Sequence, residues 1–361
     1  MCDERVFATY VHNLDPVIVW VWRGLALRWY GLAYLLGFVA GFWLLRHLAR
    51  RRLWVLEPEK TADFIAAAAL FGVFLGGRLG YVIFYFLPKE GLAALLADPL
   101  LVFRVWEGGM ASHGGILGLV IFTWVYARKE KVAWTGLGDG LCVVAPVGLF
   151  FGRMANFING ELYGHVAQGV CWAVKFPTAL GDAAAPEFSR FDEAAAAVAA
   201  VAPGLGGTYQ ALEAGRATME AGLGAGDYLA ARGAMFEGML AANRHSSEVA
   251  VVLGRYLEPR HPSQMYEGLL EGLVLFGILW LVRLRCPKAP NGLLTGLFFA
   301  LYALFRIFAE SFREPDAALV GPLTKGQFLS LFMLLFAAGF LIFAWKQRGA
   351  AETADGARGP Y

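Results

Sequence analysis

Seven runs of about 20 residues with almost no charge recur along this chain, a length that matches the hydrocarbon core of a bilayer. They lie near residues 29–48, 61–87, 112–127, 135–153, 263–284, 292–312 and 327–345. Inside lipid every backbone N–H and C=O must find its partner within the protein, so such runs can only be helical or close into a barrel. The short alternating strands of a barrel are absent. Charged residues make up 17% of the chain, against about 25% in a soluble domain. The sequence therefore predicts an all-α, polytopic integral membrane protein with seven transmembrane helices.

Basic residues orient the spans. Clusters follow span one (Arg46, Arg50, Arg51, Arg52), span three (Arg128, Lys129, Lys131), span five (Arg283, Arg285, Lys288) and span seven (Lys346, Arg348). The opposite short loops carry only Lys89, Arg104 and Lys325. This pattern puts the N-terminus outside and the C-terminus in the cytoplasm. Residues 1–177 form the N-terminal part of the membrane domain, with spans one to four, and 261–347 its C-terminal part, with spans five to seven. Residues 348–361 are a cytoplasmic tail. Between the two parts lies an external insert, 178–260, rich in Ala and Gly. Broken helical patterns at 191–201, 209–223 and 228–243 read as a helical cap or a partly mobile insert. Deleting 181–258 is expected to leave activity retained or reduced. A short apolar piece with tryptophans, 16–22, is expected at the membrane surface.

The four cysteines (Cys2, Cys142, Cys171, Cys286) are scattered without a CxxC pair, which argues against a disulfide framework or a zinc site. No metal or cofactor is expected. The formal charge of +2 says little about partners, and none is expected among nucleic acids. No removable signal peptide is read at the N-terminus.

With that topology the polar residues inside the spans fall at one depth, toward the outer leaflet. Tyr30 opens span one, Arg78 sits in span two and His113 opens span three. The run GRMANFINGELYG, Gly152–Gly164, ends span four with Arg153, Asn156 and Glu161. HPSQMYE opens span five with Gln264, Tyr266 and Glu267. Tyr302, Arg306 and Glu310 recur every four residues and share one face of span six. Ionisable groups in a bilayer are costly and usually face a cavity or a partner. Each has an ordinary structural explanation: a snorkelling Arg78 or Arg153, a helix-start His113 bonded to backbone, an Arg306–Glu310 pair. Together they describe a cationic cavity suited to an anionic phospholipid head group. Glycines flank Arg78 and His113 at 76–77, 108–109 and 114–115, where they serve either helix packing or backbone approach to a ligand.

These runs together resemble the bacterial prolipoprotein diacylglyceryl transferase family. GRMANFINGELYG is the most specific match. LRWYG, GGRLGYVIFY, WEGGMASHGG, HPSQMYE, SFREPD and LTKGQ follow the family's order, over about 27–178 and 260–346. Two features depart from the family: the long 178–260 insert, and His165 where an arginine often follows the signature. The resemblance implies transfer of the diacylglyceryl group of phosphatidylglycerol to the lipobox cysteine of preprolipoprotein signal peptides, with release of glycerol phosphate. It places the enzyme in the bacterial inner membrane as a multi-pass protein in contact with membrane lipid, its site toward the periplasmic leaflet. Carried over by motif, His113, Arg153 and Arg306 are catalytic, the arginines holding phosphate. Tyr30, Arg78, Asn156, Glu161, Gly164, Glu267, Tyr302 and Glu310 bind substrate. His113 suits a general base near neutral pH; Glu161, Glu310 or bulk hydroxide are the alternatives. A lipid flippase is the rival class, but it would show internal repeats and a midplane site. A structural scaffold would tolerate alanine at His113 and both arginines.

Overall fold

A computed structural model of the chain describes residues 9–22, 25–104, 108–315 and 321–356. Trp106, Glu107 and Asp316 of the quoted motifs lie outside the described residues. The elements in chain order are β1 (Tyr10–Val11), β2 (Val17–Trp22), β3 (Leu25–Arg28), α1 (Trp29–Arg50), α2 (Pro58–Ala97), α3 (Ser112–Glu130) and α4 (Trp134–Asn159). There follow β4 (Val174–Lys175), α5 (Phe191–Val201), α6 (Gly206–Glu220), α7 (Gly226–His245), α8 (Ser247–Leu253), α9 (Ser263–Arg285), α10 (Leu293–Glu310) and α11 (Lys325–Gly356). The all-helical reading needs one amendment: β1 pairs in parallel with β4, and β2 in antiparallel with β3. The short apolar piece forms the hairpin strand β2, Val17–Trp22, with Trp20 and Trp22 exposed.

Six described helices are long and apolar enough to cross a membrane: α1, α2, α4, α9, α10 and the Lys325–Arg348 part of α11. The third expected run is helical, α3, 19 residues long. It falls outside that set because glycines and the terminal Arg128, Lys129 and Glu130 lower its apolarity. α2 and α9 are not uniform, since π-helical turns occupy Ala68–Phe74, Val82–Phe86 and Gly268–Val274.

The chain divides into two compact units. The first comprises Met1–Ala33, Gly152–Gly268 and Ile307–Gly326. About half of it is the alanine-rich segment 178–260, whose helices pack on a shared buried core. Phe191, Ala194, Ala195 and Val198 of α5 lie at successive helical-face positions and close on Leu212, Met235, Met239 and Leu253. α5 coincides with the 191–201 pattern, while α6 and α7 begin a few residues before the patterns at 209 and 228. Cys171 in this unit is disulfide-bonded, although the scattered cysteines predict no framework.

The second unit comprises Tyr34–Phe151, Leu269–Arg306 and Gln327–Tyr361. Its core gathers Leu45, Leu48, Phe64, Leu137, Val143, Leu275, Leu279 and Leu294. Asp139, buried, accepts the backbone N–H of Gly292 (2.8 Å) and of Thr295 (2.8 Å). It thus satisfies orphan donors at the start of α10. α2 and α3 cross on glycine. A Cβ on Gly76 would lie 2.7 Å from the Gly114 carbonyl, and one on Gly114 would lie 2.6 Å from Gly80 Cα. Gly76, Gly80 and Gly114 are thus required by helix contact.

Candidate functional site

The signature builds its own turn. α4 stops at Asn159, and Gly160 takes the left-handed conformation (φ 68°). Gly160 N–H donates to Phe157 O at 2.9 Å and Glu161 N–H to Asn156 O at 3.1 Å, the paired bonds of a Schellman cap. Only glycine enters that conformation freely, so the sequence Asn-Gly-Glu dictates where the helix ends and Glu161 turns back. Asn156, buried, then donates through Nδ2 to the Glu161 carboxylate (2.8 Å) and to the Tyr30 hydroxyl. Three predicted site residues, Tyr30, Asn156 and Glu161, are brought together by one amide. Gln264 donates to Glu161 O at 2.5 Å and Ser263 to Leu162 O at 2.8 Å, tying the turn to the start of α9.

Gly164, the last signature residue, sits where three segments meet. Its N–H donates to His261 O (2.9 Å), and His165 N–H to Phe312 O (2.9 Å). A Cβ on Gly164 would come within 2.7 Å of His261 O, so its place in the site is one of backbone packing. The His261 imidazole is held below its ordinary range, first by burial and then by His165.

Arg153, on the last turns of α4, gives its Nε to Glu267 at 2.8 Å. The other oxygen of Glu267 pairs with Arg313 at 3.3 Å. Both Glu267 and Arg313 are buried. A carboxylate between two guanidiniums orients them both. Arg313, which the SFREPD motif contains but the sequence reading passed over, belongs to this cluster. Glu310, also buried, accepts the Thr324 hydroxyl at 3.0 Å. It lies so close to Gly326 that a Cβ there would meet its carboxylate at 2.6 Å, so Glu310 receives the LTKG turn.

In the second unit, Arg306 pairs with Glu271 at 3.5 Å, their side chains 12% and 0% exposed. Glu271 was not anticipated. The signal was there, an acid four residues after Glu267 in an apolar span. Tyr302 stacks on Phe298, ring centroids 5.7 Å apart. The Arg78 guanidinium donates to the backbone oxygens of Val102 (3.0 Å), Gly108 (2.5 Å), Gly109 (2.9 Å) and Leu101. With four of its five N–H groups so engaged, Arg78 holds the backbone of residues 101–102 and 108–109. His113 stands exposed on the first turn of α3, with no side-chain hydrogen bond among the described residues. No group of His, Cys, Asp and Glu that could hold a metal occurs among the described residues.

Comparison with known proteins agrees with the motifs. A family profile described as prolipoprotein diacylglyceryl transferase matches residues 16–343. A Rhodospirillum rubrum protein named phosphatidylglycerol–prolipoprotein diacylglyceryl transferase is 35% identical over 359 residues, 98% of this chain and 100% of that protein. Proteins of the same name from Photorhabdus laumondii and Escherichia coli are 36% and 34% identical, covering 93% and 96% of this chain and 94% and 98% of their own lengths.

Proposed function

The chain belongs to the prolipoprotein diacylglyceryl transferase family, and from that membership we propose that it moves the diacylglyceryl group of phosphatidylglycerol onto a preprolipoprotein lipobox cysteine. The thiolate attacks the glyceryl carbon that bears the phosphate. The C–O bond breaks as the C–S bond forms, and glycerol phosphate leaves with the electron pair. A free thiol has a pKa of about 8.5, so the step needs a base. His113 takes that part, with its exposed imidazole at a helix start. Arg153 and Arg306 hold the phosphate and stabilise the charge that grows on the leaving oxygen. One such preorganised contact is typically worth about 3–4 kcal/mol.

The observation that carries this reading is that each proposed phosphate arginine rests on a buried glutamate of α9, Arg153 on Glu267 and Arg306 on Glu271. A guanidinium fixed in this way keeps its orientation without reorganising during the reaction. Tyr30, Asn156 and Glu161 form a hydrogen-bonded wall, with Tyr302 and Glu310 lining the substrate path. Gly164, Glu267 and Arg78 act through the backbone and side chains they position. We further propose seven spans, with α3 as the third, the N-terminus and the 178–260 subdomain outside, and the site toward the periplasmic leaflet of the bacterial inner membrane. The disulfide at Cys171 favours an oxidising compartment for that side.

The test is incubation of the purified chain with phosphatidylglycerol and a lipobox peptide. Mass spectrometry should find a diacylglyceryl adduct on cysteine, with glycerol phosphate released in equal amount. Arg153→Ala and Arg306→Ala should each lower the rate by 100-fold or more while the protein still inserts. Lipid movement between leaflets without bond cleavage would refute the transferase reading.

A further inference from the structure

At the end of α1 remote from Tyr30, a cleft of about 340 Å³ is lined by Trp43, Leu44, Arg46, His47, Arg50 and Trp280. Residues 43, 46, 47 and 50 are spaced i, i+3, i+4 and i+7, so they form one stripe. Leu45, Leu48 and Ala49 on the other side of the helix are buried in the core. Trp280 of α9 closes the cleft, its ring 5.8 Å from that of His47. No carboxylate lines it. Among the described residues the side chains of Arg46, His47 and Arg50 make no hydrogen bond or ion pair, and Arg46 Nε is buried without a partner.

Two ordinary roles for these cations fail. They are not needed to cap α1. Leu53 N–H already donates to Leu48 O (2.8 Å) and Arg52 N–H to Ala49 O (2.9 Å), with Arg52 in the left-handed conformation at φ 56°. Nor is Arg46 simply snorkelling to water. Its guanidinium lies 5.7 Å from the Phe42 ring centroid, with Nε turned inward. A cavity with unpaired guanidiniums, walled by indoles at the end of a spanning helix, matches an anionic lipid head group at the membrane surface.

We propose that this cleft binds the phosphate of an anionic phospholipid as a second lipid site, separate from the one where transfer occurs. Arg46 and Arg50 grip the phosphate, and Trp43 and Trp280 pack on the glycerol and upper acyl carbons. Native mass spectrometry of the full chain, titrated with phosphatidylglycerol or phosphatidylcholine, tests it. The wild type should retain one more phosphatidylglycerol than Arg46→Ala/Arg50→Ala, and at about tenfold lower lipid concentration. Phosphatidylcholine should not replace it, and 10 mM inorganic phosphate should leave it bound. Transfer at saturating phosphatidylglycerol should stay within twofold of wild type, which also shows that the variant folds. Arg50→Ala alone, at an exposed position, should weaken retention about threefold. Equal retention by wild type and both variants would overturn the site. Ready displacement by inorganic phosphate would overturn the lipid as its occupant.

Discussion

Removing the Glu187 carboxylate should loosen the whole 178–260 subdomain and, with it, the signature turn. Glu187 and Arg260 both have 0% exposure. Arg260 donates Nε to Oε1 at 2.9 Å and Nη2 to Oε2 at 2.6 Å, a bidentate pair. Its remaining contacts are Glu314 at 3.1 Å, Gly164 O at 3.2 Å and the Tyr163 ring at 4.8 Å. Burial alone opposes the charge on Arg260, and the Glu187 hydrogen bond and charge outweigh it, so its pKa stands above the ordinary arginine value. In Glu187→Ala the guanidinium stays buried with only Glu314, 31% exposed, as a counter-charge. Breaking a buried pair from one side typically costs about 3–5 kcal/mol.

Replacing both partners by apolar residues of similar volume should cost far less. Glu187→Leu/Arg260→Met loses mainly the donor to Gly164 O, about 1–2 kcal/mol. Native-state proteolysis of the subdomain in the detergent-solubilised full chain measures the difference. Because cleavage follows the open population, Glu187→Ala should be cut roughly two to three orders of magnitude faster, and the double variant within about tenfold of wild type. A single variant within threefold of wild type, or a double variant whose loss equals the sum of the singles, would refute the coupling. The same pair reverses the expectation for deleting 181–258. The deletion removes Glu187, strands Arg260 beside Gly164, and should abolish transfer instead of merely reducing it.

Acid should weaken the first unit through His12, whose pKa burial lowers from 6.5 to about 4. The unfolded chain then binds a proton that the folded one refuses, so this contribution is full above pH 6.5 and is lost as pH falls toward 4. It amounts to about 3 kcal/mol, and His12→Phe should flatten the stability profile over that window. Asn156→Ala removes the shared donor of Tyr30 and Glu161 and should lower the transfer rate by about 10–100-fold, from roughly 1–3 kcal/mol of lost positioning. A rate within twofold of wild type would show that this wall is not part of the site. Two glycines should answer oppositely in thermal unfolding. Gly76→Ala drives a methyl into the Gly114 carbonyl and the 2.8 Å space before Gly118 Cα, costing about 1–3 kcal/mol. Gly152→Ala meets nothing within 4 Å and should be neutral or stabilising by up to about 1 kcal/mol.

Much of this protein was legible in one dimension. The lipid solvent forces long apolar runs into helices, so hydropathy alone located the six described helices that are long and apolar enough to cross a membrane. α5 of the alanine-rich segment was equally readable, because helical-face spacing is a local property. The end of α4 was not: the apolar run stops near Arg153, whereas the helix continues to Asn159 and closes on Gly160 in the left-handed region. What the sequence left open were partners. The sequence does not show that the Arg78 guanidinium meets the carbonyls of residues 101, 102, 108 and 109. Nor does it show that Glu267 lies between Arg153 and Arg313, and Gly76 and Gly114 could have served ligand or helix equally. Glu187 and Arg260 stand 73 positions apart and carry no motif that joins them. Helix formation depends on neighbours in the chain and can be read from it. The partner of a buried charge depends on which distant segments packing brings within about 3 Å, and only the tertiary structure decides that.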